Sequence, residues 1–239
     1  IYSPARTVVH TGDFKVDYPP VFGDAIDLQR FGEIGKKGVL ALMCDSTHAE
    51  RPGFTMSARP VGKPFANIFV EHQNQRIILE TFASNVDRVQ QIINSAYKYG
   101  RKVVVEGRSM VSIITIASEL GYISIPEHTL IDLEQMKNYP DEQMVLITTG
   151  SQGESMAALS RMAYDMHRKI SIKPGDTVIF SSNPIPGNEK AVSKVINELS
   201  MKGADVIFQD AHVSGHACQE EIKLIYSLVR PIYAIPVHG

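Results

Sequence analysis

The chain has 239 residues, of which 44% are hydrophobic and 21% are charged, and its formal net charge is −2. This balance is ordinary for a water-soluble protein of one large or two small domains, and it excludes a basic surface over the whole molecule, so any contact with nucleic acid must come from a local patch. The longest apolar runs are too short to span a membrane, and no secretory signal opens the sequence.

Short runs rich in valine and isoleucine predict β-strands along the chain. They cover residues 7–9, 39–44, 77–80, 103–105, 144–148, 177–180, 205–208 and 232–236. Apolar residues recur at helical spacing at 86–97, 110–120, 191–201 and 218–229. Unbroken apolar strands that alternate with helices indicate an α/β fold with a mostly parallel sheet covered by helices.

Residues 76–107 form the clearest strand–helix–strand unit in the sequence. Ser84 and Asn85 stand where side chains cap the first turn of a helix, and Gly100 stands where a helix stops. Asn188 and Gly203 bound the helix predicted at 191–201 in the same way.

Potential metal ligands follow strand-like runs at both ends of the chain. Asp13 follows the first run and His238 follows the last. A carboxylate and an imidazole are ligands that a zinc site of mixed oxygen and nitrogen donors uses. Asp13 could equally cap a turn at the end of its strand. His10 is expected to pack or hydrogen-bond within the strand, because alternation points it away from Asp13.

Asp45 ends the second strand-like run, directly before Ser46 and Thr47. An aspartate in this place can cap a helix. It can also accept the second N–H of a catalytic histidine. Local sequence leaves both interpretations open.

The segment His212-Val213-Ser214-Gly215-His216 joins the seventh strand-like run to the last predicted helix. Small residues and free backbone N–H groups at the start of a helix bind phosphate well, and a histidine there can donate a proton. In the alternative interpretation, Ser214 caps the helix and His216 is merely exposed. Loops of similar composition at 81–85 and 148–154 are weaker indications of phosphate contact.

Seven motifs in one order resemble the ribonuclease J family, in the β-CASP branch of the metallo-β-lactamase-fold nucleases. They are His10-Thr11-Gly12-Asp13-Phe14-Lys15, Asp45-Ser46-Thr47 with Glu50-Arg51-Pro52-Gly53, Phe82-Ala83-Ser84-Asn85, Gly107-Arg108-Ser109-Met110, Thr149-Gly150-Ser151-Gln152-Gly153-Glu154, His212-Val213-Ser214-Gly215-His216-Ala217 and Pro236-Val237-His238-Gly239. The resemblance covers nearly the whole chain, which argues against chance similarity.

The resemblance implies an α/β fold with two interleaved domains. A β-CASP domain with a mostly parallel sheet flanked by helices would be inserted in part of a metallo-β-lactamase αββα fold. We expect residues 51–210 to form the β-CASP domain. Residues 1–50 and the return segment 211–239 would then belong to the metallo-β-lactamase domain.

The resemblance also implies roles for single residues. Asp13 would bridge two zinc ions, and His238 would bind one of them. Asp45 would orient His216, which would lie beside the scissile phosphate. The substrate phosphate would be held by His212, Val213, Ser214, Gly215 and His216, with Phe82, Ala83 and Ser84 as a second contact. We expect Asp13 and His238 to approach within about 3–5 Å, and Asp45 and His216 within about 2.6–3.2 Å.

The implied activity is that of a zinc-dependent hydrolase of RNA processing and decay. Such a nuclease hydrolyses phosphodiester bonds with a metal-activated water, as a 5′-to-3′ exonuclease and as an endonuclease. Its partner would be RNA, with a preference for a 5′-monophosphate. The intact protein is expected to be cytoplasmic and homo-oligomeric, with RNA-decay or ribosome-associated partners and no membrane contact.

The chain departs from the family pattern in several places. It has no initiator Met and ends directly after a strand-like run, so we expect a fragment, and the family's His-x-His-x-Asp-His motif is missing from it. The fragment alone is then expected to be an inactive RNA-binding or structural module with zinc absent or partly bound, because affinity depends on ligand count. The family pattern would place other residues at His48, Ala58, Asp87 and Ser155, of which Asp87 would bring a carboxylate near RNA.

Cys44 and Cys218 lack C-x-x-C spacing, which favours reduced thiols in a cytoplasmic protein over a disulfide. The glycine- and serine-rich loops alone would also suit a sugar-phosphate or nucleotide enzyme of doubly wound type, but the chain has no G-x-G-x-x-G and no Walker motif.

Overall fold

The structure is a computed structural model of the chain, and it describes residues 1–4, 6–18, 20, 24–57, 62–150, 157–182, 184, 187–208 and 214–238. The chain divides into two units. The split unit comprises residues 1–61 and 213–239, and the inserted unit comprises residues 62–212. The inserted unit therefore interrupts the split unit in the sequence.

The described strands are β1 (Thr7–His10), β2 (Val39–Asp45), β3 (Ile77–Glu80), β4 (Lys102–Glu106), β5 (Met144–Thr148), β6 (Thr177–Phe180), β7 (Asp205–Phe208) and β8 (Tyr233–Val237). The described α-helices are α1 (Leu28–Lys36), α2 (Gly62–Glu71), α3 (Val86–Lys98), α4 (Arg108–Glu119), α5 (Ala158–Ala163), α6 (Glu189–Met201) and α7 (Gln219–Val229). Two short 3-10 helices in the described part of the chain lie at Leu133–Asn138 and Asp141–Gln143. None of the described helices is long and apolar enough to cross a membrane.

The strand predictions and the four helix predictions are confirmed, and their ends either match or shift by one or two residues. The sequence pattern does not predict α1, α2 or α5. Two glycines, Gly32 and Gly35, interrupt α1 and lower its helical propensity. Helix α5 has only 6 residues, too few to show a helical period.

The split unit is built on a parallel sheet in the order β1-β2-β8. Helices α1 and α7 cover one face of this sheet, and their apolar side chains pack with Leu42 and Cys44 of the central strand β2. On the opposite face, Tyr233 and Ile235 of β8 are 62% and 44% exposed.

The inserted unit is built on a parallel sheet in the order β4-β5-β3-β6-β7. Helices α5 and α6 pack against one face of this sheet. Helices α3 and α4 both contact the edge strand β4. The predicted strand–helix–strand unit at 76–107 is present, but β5 lies between its two strands. The predicted fold class, α/β with parallel sheets flanked by helices, is confirmed.

Candidate active site

The carboxyl ends of β1, β2 and β8 meet at one edge of the sheet in the split unit. Three predicted site residues lie at this edge: Asp13 after β1, Asp45 at the end of β2, and His238 after β8. The fourth, His216, lies in the turn before α7. Parallel strands bring their carboxyl ends together, which is how residues so far apart in the sequence become neighbours.

Asp13 and His238 come together across the end of β2. Strands β1 and β8 pair with opposite sides of β2, which places them about 9–10 Å apart. Nevertheless, Nε2 of His238 lies 3.5 Å from Oδ1 of Asp13. Gly12 (φ 63°) and His238 (φ 62°) both have a positive φ, so the chain changes direction shortly after each of these two strands. The predicted distance between Asp13 and His238 is confirmed.

Asp45 is buried, and both of its carboxylate oxygens take part in hydrogen bonds. Nδ1 of His216 lies 2.8 Å from its Oδ2. Its Oδ1 accepts from the backbone N–H of Thr47 at 3.1 Å and from the Thr47 hydroxyl at 2.7 Å. The predicted distance between Asp45 and His216 is confirmed. No helix begins at Asp45 in the described residues 46–57, so it does not act as a helix cap.

The pKa of Asp45 fixes the direction of its hydrogen bond to His216. Burial alone would raise this pKa, but the hydrogen bonds from Thr47 and His216 hold it below the ordinary aspartate value. Asp45 is therefore ionised at neutral pH and can only accept, so Nδ1 of His216 donates. The other ring nitrogen, Nε2, is then the one that can reach a substrate.

The donor atoms at this edge fit a zinc ion. Asp13, Asp45 and His216 each offer one ligand atom within 4.8 Å of the others, and His238 lies next to Asp13. Mixed oxygen and nitrogen donors suit zinc. Because the oxygens of Asp45 already accept bonds from Thr47 and His216, the exposed pair of Asp13 and His238 is better placed to bind metal.

Several residues that support this site are absent from the sequence-based predictions. The Thr11 hydroxyl accepts the backbone N–H of Asp45 at 3.0 Å. The His48 ring packs edge-on against that of His216, with centroids 5.7 Å apart. Thr11 and Thr47 belong to the quoted motifs and could have been found by their proximity to Asp13 and Asp45, whereas nothing in the sequence marks the contact of His48 with His216.

The turn before α7 differs from a helix N-terminus. Helix α7 is capped by Cys218, and the Ser214 hydroxyl instead accepts the backbone N–H of His216 at 3.0 Å. The interpretation of Ser214 as the helix cap is therefore wrong. Gly215 is exposed, and a Cβ added there would meet no described residue within 4 Å, so none of the described residues blocks an approaching group at Gly215. His212 and Val213 lie outside the described residues.

The second predicted phosphate contact lies in the inserted unit, between β3 and α3. Phe82 and Ser84 accept backbone N–H groups of Asn85 and Val86, each at 3.0 Å, in a tight turn that also contains Ala83. Asn85 caps α3 by accepting the N–H of Arg88, as predicted. Asp87 is exposed in the first turn of α3, where a carboxylate is favourable. Ala58 and Ser155 lie outside the described residues.

Comparisons with known proteins agree with the sequence motifs. Residues 74–199 match the family described as Ribonuclease J, beta-CASP domain, and residues 204–239 match the family described as Zn-dependent metallo-hydrolase RNA specificity domain. The chain is 48% identical to Ribonuclease J of Synechocystis sp., 49% to Ribonuclease J 1 of Streptococcus pyogenes and 47% to Ribonuclease J of Thermus thermophilus.

Each of these alignments includes 100% of this chain but only 38%, 43% and 42% of the respective relative. The chain thus spans well under half the length of these curated proteins. Among solved structures, a protein of unknown function from Enterococcus faecalis matches with a TM-score of 0.66 at 16% identity, over 100% of this chain and 54% of that one. That likeness shows the fold alone.

Proposed function

We propose that this chain, which belongs to the ribonuclease J family, carries the β-CASP domain and part of the catalytic domain of a zinc-dependent ribonuclease. The β-CASP domain corresponds to residues 51–210, and residues 1–50 and 211–239 belong to the metallo-β-lactamase domain. The observation that carries the proposal is the 2.8 Å contact between Asp45 and His216 beside Asp13 and His238. The activity is that of the longer protein, since the relatives extend well beyond this chain.

His216 is the catalytic residue in this proposal. Asp45 accepts the Nδ1–H of its ring, which fixes the tautomer and the ring orientation. In this step both ring nitrogens carry a proton, so His216 is an imidazolium. As the P–O bond of the scissile phosphodiester breaks, its Nε2–H donates the proton to the leaving oxygen or stabilises the charge on that oxygen, and the Nδ1–H stays hydrogen-bonded to Asp45. Asp45 stays ionised throughout and stabilises the charged ring.

Asp13 and His238 would hold zinc, and the intact protein would bind two ions with further ligands. Zinc, when bound, supplies an activated water and neutralises charge that develops on the phosphate. Residues 212–216 and 82–84 would hold the substrate phosphate, Ser214 and Gly215 through an open turn. The substrate is RNA with a 5′-monophosphate, cleaved both from its 5′ end and internally.

The setting of the enzyme follows from the same family membership. We expect the intact protein to act in the cytoplasm in RNA processing and decay, as a homo-oligomer and with RNA-decay or ribosome-associated partners.

A second candidate applies to the isolated chain, namely an inactive RNA-binding or structural module. The observation that favours it is the exposure of the metal-ligand pair, since the side chains of Asp13 and His238 are each 59% exposed. Two exposed ligands do not form a cage that binds zinc tightly. Elemental analysis after dialysis against zinc tests this expectation, and tight stoichiometric zinc on the isolated chain would contradict it.

The function is tested by changing His216 in the longer protein. With His216→Asn, we expect kcat on 5′-monophosphorylated RNA to fall about 10²–10⁴-fold, because an amide cannot transfer the proton. The affinity for RNA, measured by fluorescence anisotropy, should change little. The control is His128→Asn, at an exposed histidine of the inserted unit whose left-handed backbone (φ 60°) asparagine tolerates. Wild-type turnover by His216→Asn would refute the assignment.

A further inference from the structure

Glu221 is a buried carboxylate outside the set of residues assigned so far. It is the third residue of α7 and has 0% exposure. Its Oε1 accepts the backbone N–H of Val16 at 2.7 Å. Its Oε2 accepts the backbone N–H groups of Thr55 at 2.6 Å and Cys218 at 2.8 Å. The bond to Cys218 forms a capping box, but the other two join segments far away in the sequence.

The three donors belong to the segments that carry the site. Val16 lies three residues after Asp13, and Cys218 lies two residues after His216. Thr55 adds a direct connection, because its hydroxyl donates to the carbonyl oxygen of His216 at 2.8 Å. One side chain therefore joins the loop of the proposed zinc ligand Asp13 to the turn of the catalytic histidine.

The charge of Glu221 suits this arrangement of donors. Burying a carboxylate is costly unless hydrogen bonds replace its hydration. Hydrogen bonds from N–H groups to an ionised acceptor are shorter and stronger than neutral ones, in keeping with the distances of 2.6–2.8 Å. An amide in the same place cannot accept from all three donors, since one of its two polar atoms is itself a donor.

We propose that Glu221 is a positioning residue that sets His216 and Asp13 at their working distance from each other. It acts through the backbone of residues 16, 55 and 218 and touches neither metal nor RNA. The inference rests on the proposed function for the role of His216, but the geometry it describes can be measured independently of activity.

The first measurement uses the 239-residue chain and the substitution Glu221→Gln. The NH₂ group of glutamine must face at least one backbone N–H, and we expect the segment that carries this N–H to move away. In ¹H–¹⁵N spectra, the amide signals of Val16, Thr55 or Cys218 should shift upfield, and the ring Nδ1–H signal of His216 should shift or broaden. The matched control is Glu220→Gln on the same helix, because the Glu220 side chain is 42% exposed and accepts a hydrogen bond from Lys223 at 2.8 Å.

The second measurement uses the longer protein and nuclease kinetics. We expect Glu221→Gln to lower kcat about 10–100-fold, as is typical for residues that orient metal ligands or catalytic side chains through hydrogen bonds. KM for RNA should stay close to the wild-type value. Partial unfolding would lower the concentration of active sites, so once kcat is calculated per active site, unfolding alone would not lower kcat at constant KM. Glu220→Gln should behave as wild type.

A second variant covers the case in which Glu221→Gln fails to fold. Thr55→Val removes the hydroxyl bond to the carbonyl of His216 and keeps the backbone N–H that Glu221 accepts. Thr55→Val should also lower kcat, but by a smaller factor than Glu221→Gln.

The outcomes separate this inference from the proposed function. If Glu221→Gln folds, wild-type kcat together with an unchanged His216 ring signal would overturn the positioning role. If Glu221→Gln does not fold, wild-type kcat in Thr55→Val would overturn it. If instead His216→Asn retains turnover, the proposed function fails, while the spectra of the 239-residue chain still decide whether Glu221 holds the two segments.

Discussion

Neighbouring groups determine the chemistry of the two titratable residues that contact His216. Asp45 is kept charged by hydrogen bonds from Thr47 and His216, in spite of burial. The His48 ring packs edge-on against that of His216, and burial, followed by Arg51 and His216, lowers the pKa of His48 below the ordinary value. His216 thus contacts an anion that holds one of its nitrogens and a second imidazole that is harder to protonate than a free histidine.

The lowered pKa of His48 predicts how stability depends on pH. The unfolded chain binds a proton at His48 more readily than the folded chain, so this residue makes stability fall as the pH drops below about 6.5. We expect His48→Asn to reduce the loss of folding free energy between neutral and mildly acidic pH, measured by urea unfolding. His128→Asn, at an exposed histidine, serves as the control. An identical pH dependence in His48→Asn and wild type would contradict this role.

The packing of α1 against α7 depends on glycine at one position. A Cβ added to Gly35 would lie 2.1 Å from the carbonyl oxygen of Leu228, and backbone cannot move aside as a side chain can. A Cβ added to Gly32, one helical turn earlier, would meet only the end of the Leu228 side chain at 3.9 Å. The close packing of α1 on α7 therefore requires glycine at position 35 but not at position 32.

This contrast gives a matched pair of substitutions. Gly35→Ala should force α1 away from α7 and lower the free energy of unfolding by about 1–3 kcal/mol, as overpacking does. Gly32→Ala should be neutral or stabilise by up to about 1 kcal/mol, since alanine is the better helix former. Urea unfolding of both variants measures the difference. Equal stability of the two variants would show that Gly35 of α1 does not approach the backbone of Leu228 in α7 this closely.

At the scale of the whole molecule, the edge strand β8 of the split-unit sheet exposes two large apolar side chains, Tyr233 and Ile235. Tyr233 and Ile235 of β8 pair in register with Ala41 and Met43 of β2, so they lie on the face opposite to the one that packs against α1 and α7. Exposed apolar surface on a sheet with an open edge strand favours association with other chains.

We therefore expect the 239-residue chain to bind a hydrophobic dye such as ANS and to self-associate with rising concentration. Ile235→Lys should reduce both effects, because it places a charge on the exposed edge strand. Met201→Lys, at a residue 73% exposed at the end of α6, is the control and should change neither. Dye fluorescence and sedimentation velocity measure the two effects, and a monomeric wild-type chain without dye binding would contradict the prediction.

Local pattern sufficed for the described strands, for four of the described helices and for the residue types of the site. The periods of strands and helices depend on neighbours a few positions apart, so β2 and α3 could be read from the sequence. The motifs around Asp13, Asp45, His216 and His238 were also visible, because each follows a strand or begins a turn. Helix α1 was not, because its stability comes from packing on α7 and not from its propensity.

Only the tertiary structure decided how these parts act on one another. The choice between helix cap and histidine partner for Asp45 depends on a contact across 171 positions. The role of Glu221 depends on Val16, 205 positions away. The approach of Asp13 to His238 requires β1 and β8 to lie on either side of β2. The physical reason is the same in each case: a hydrogen bond or an ion pair depends on distance in space, which the order of strands in the sheet sets and local sequence does not encode.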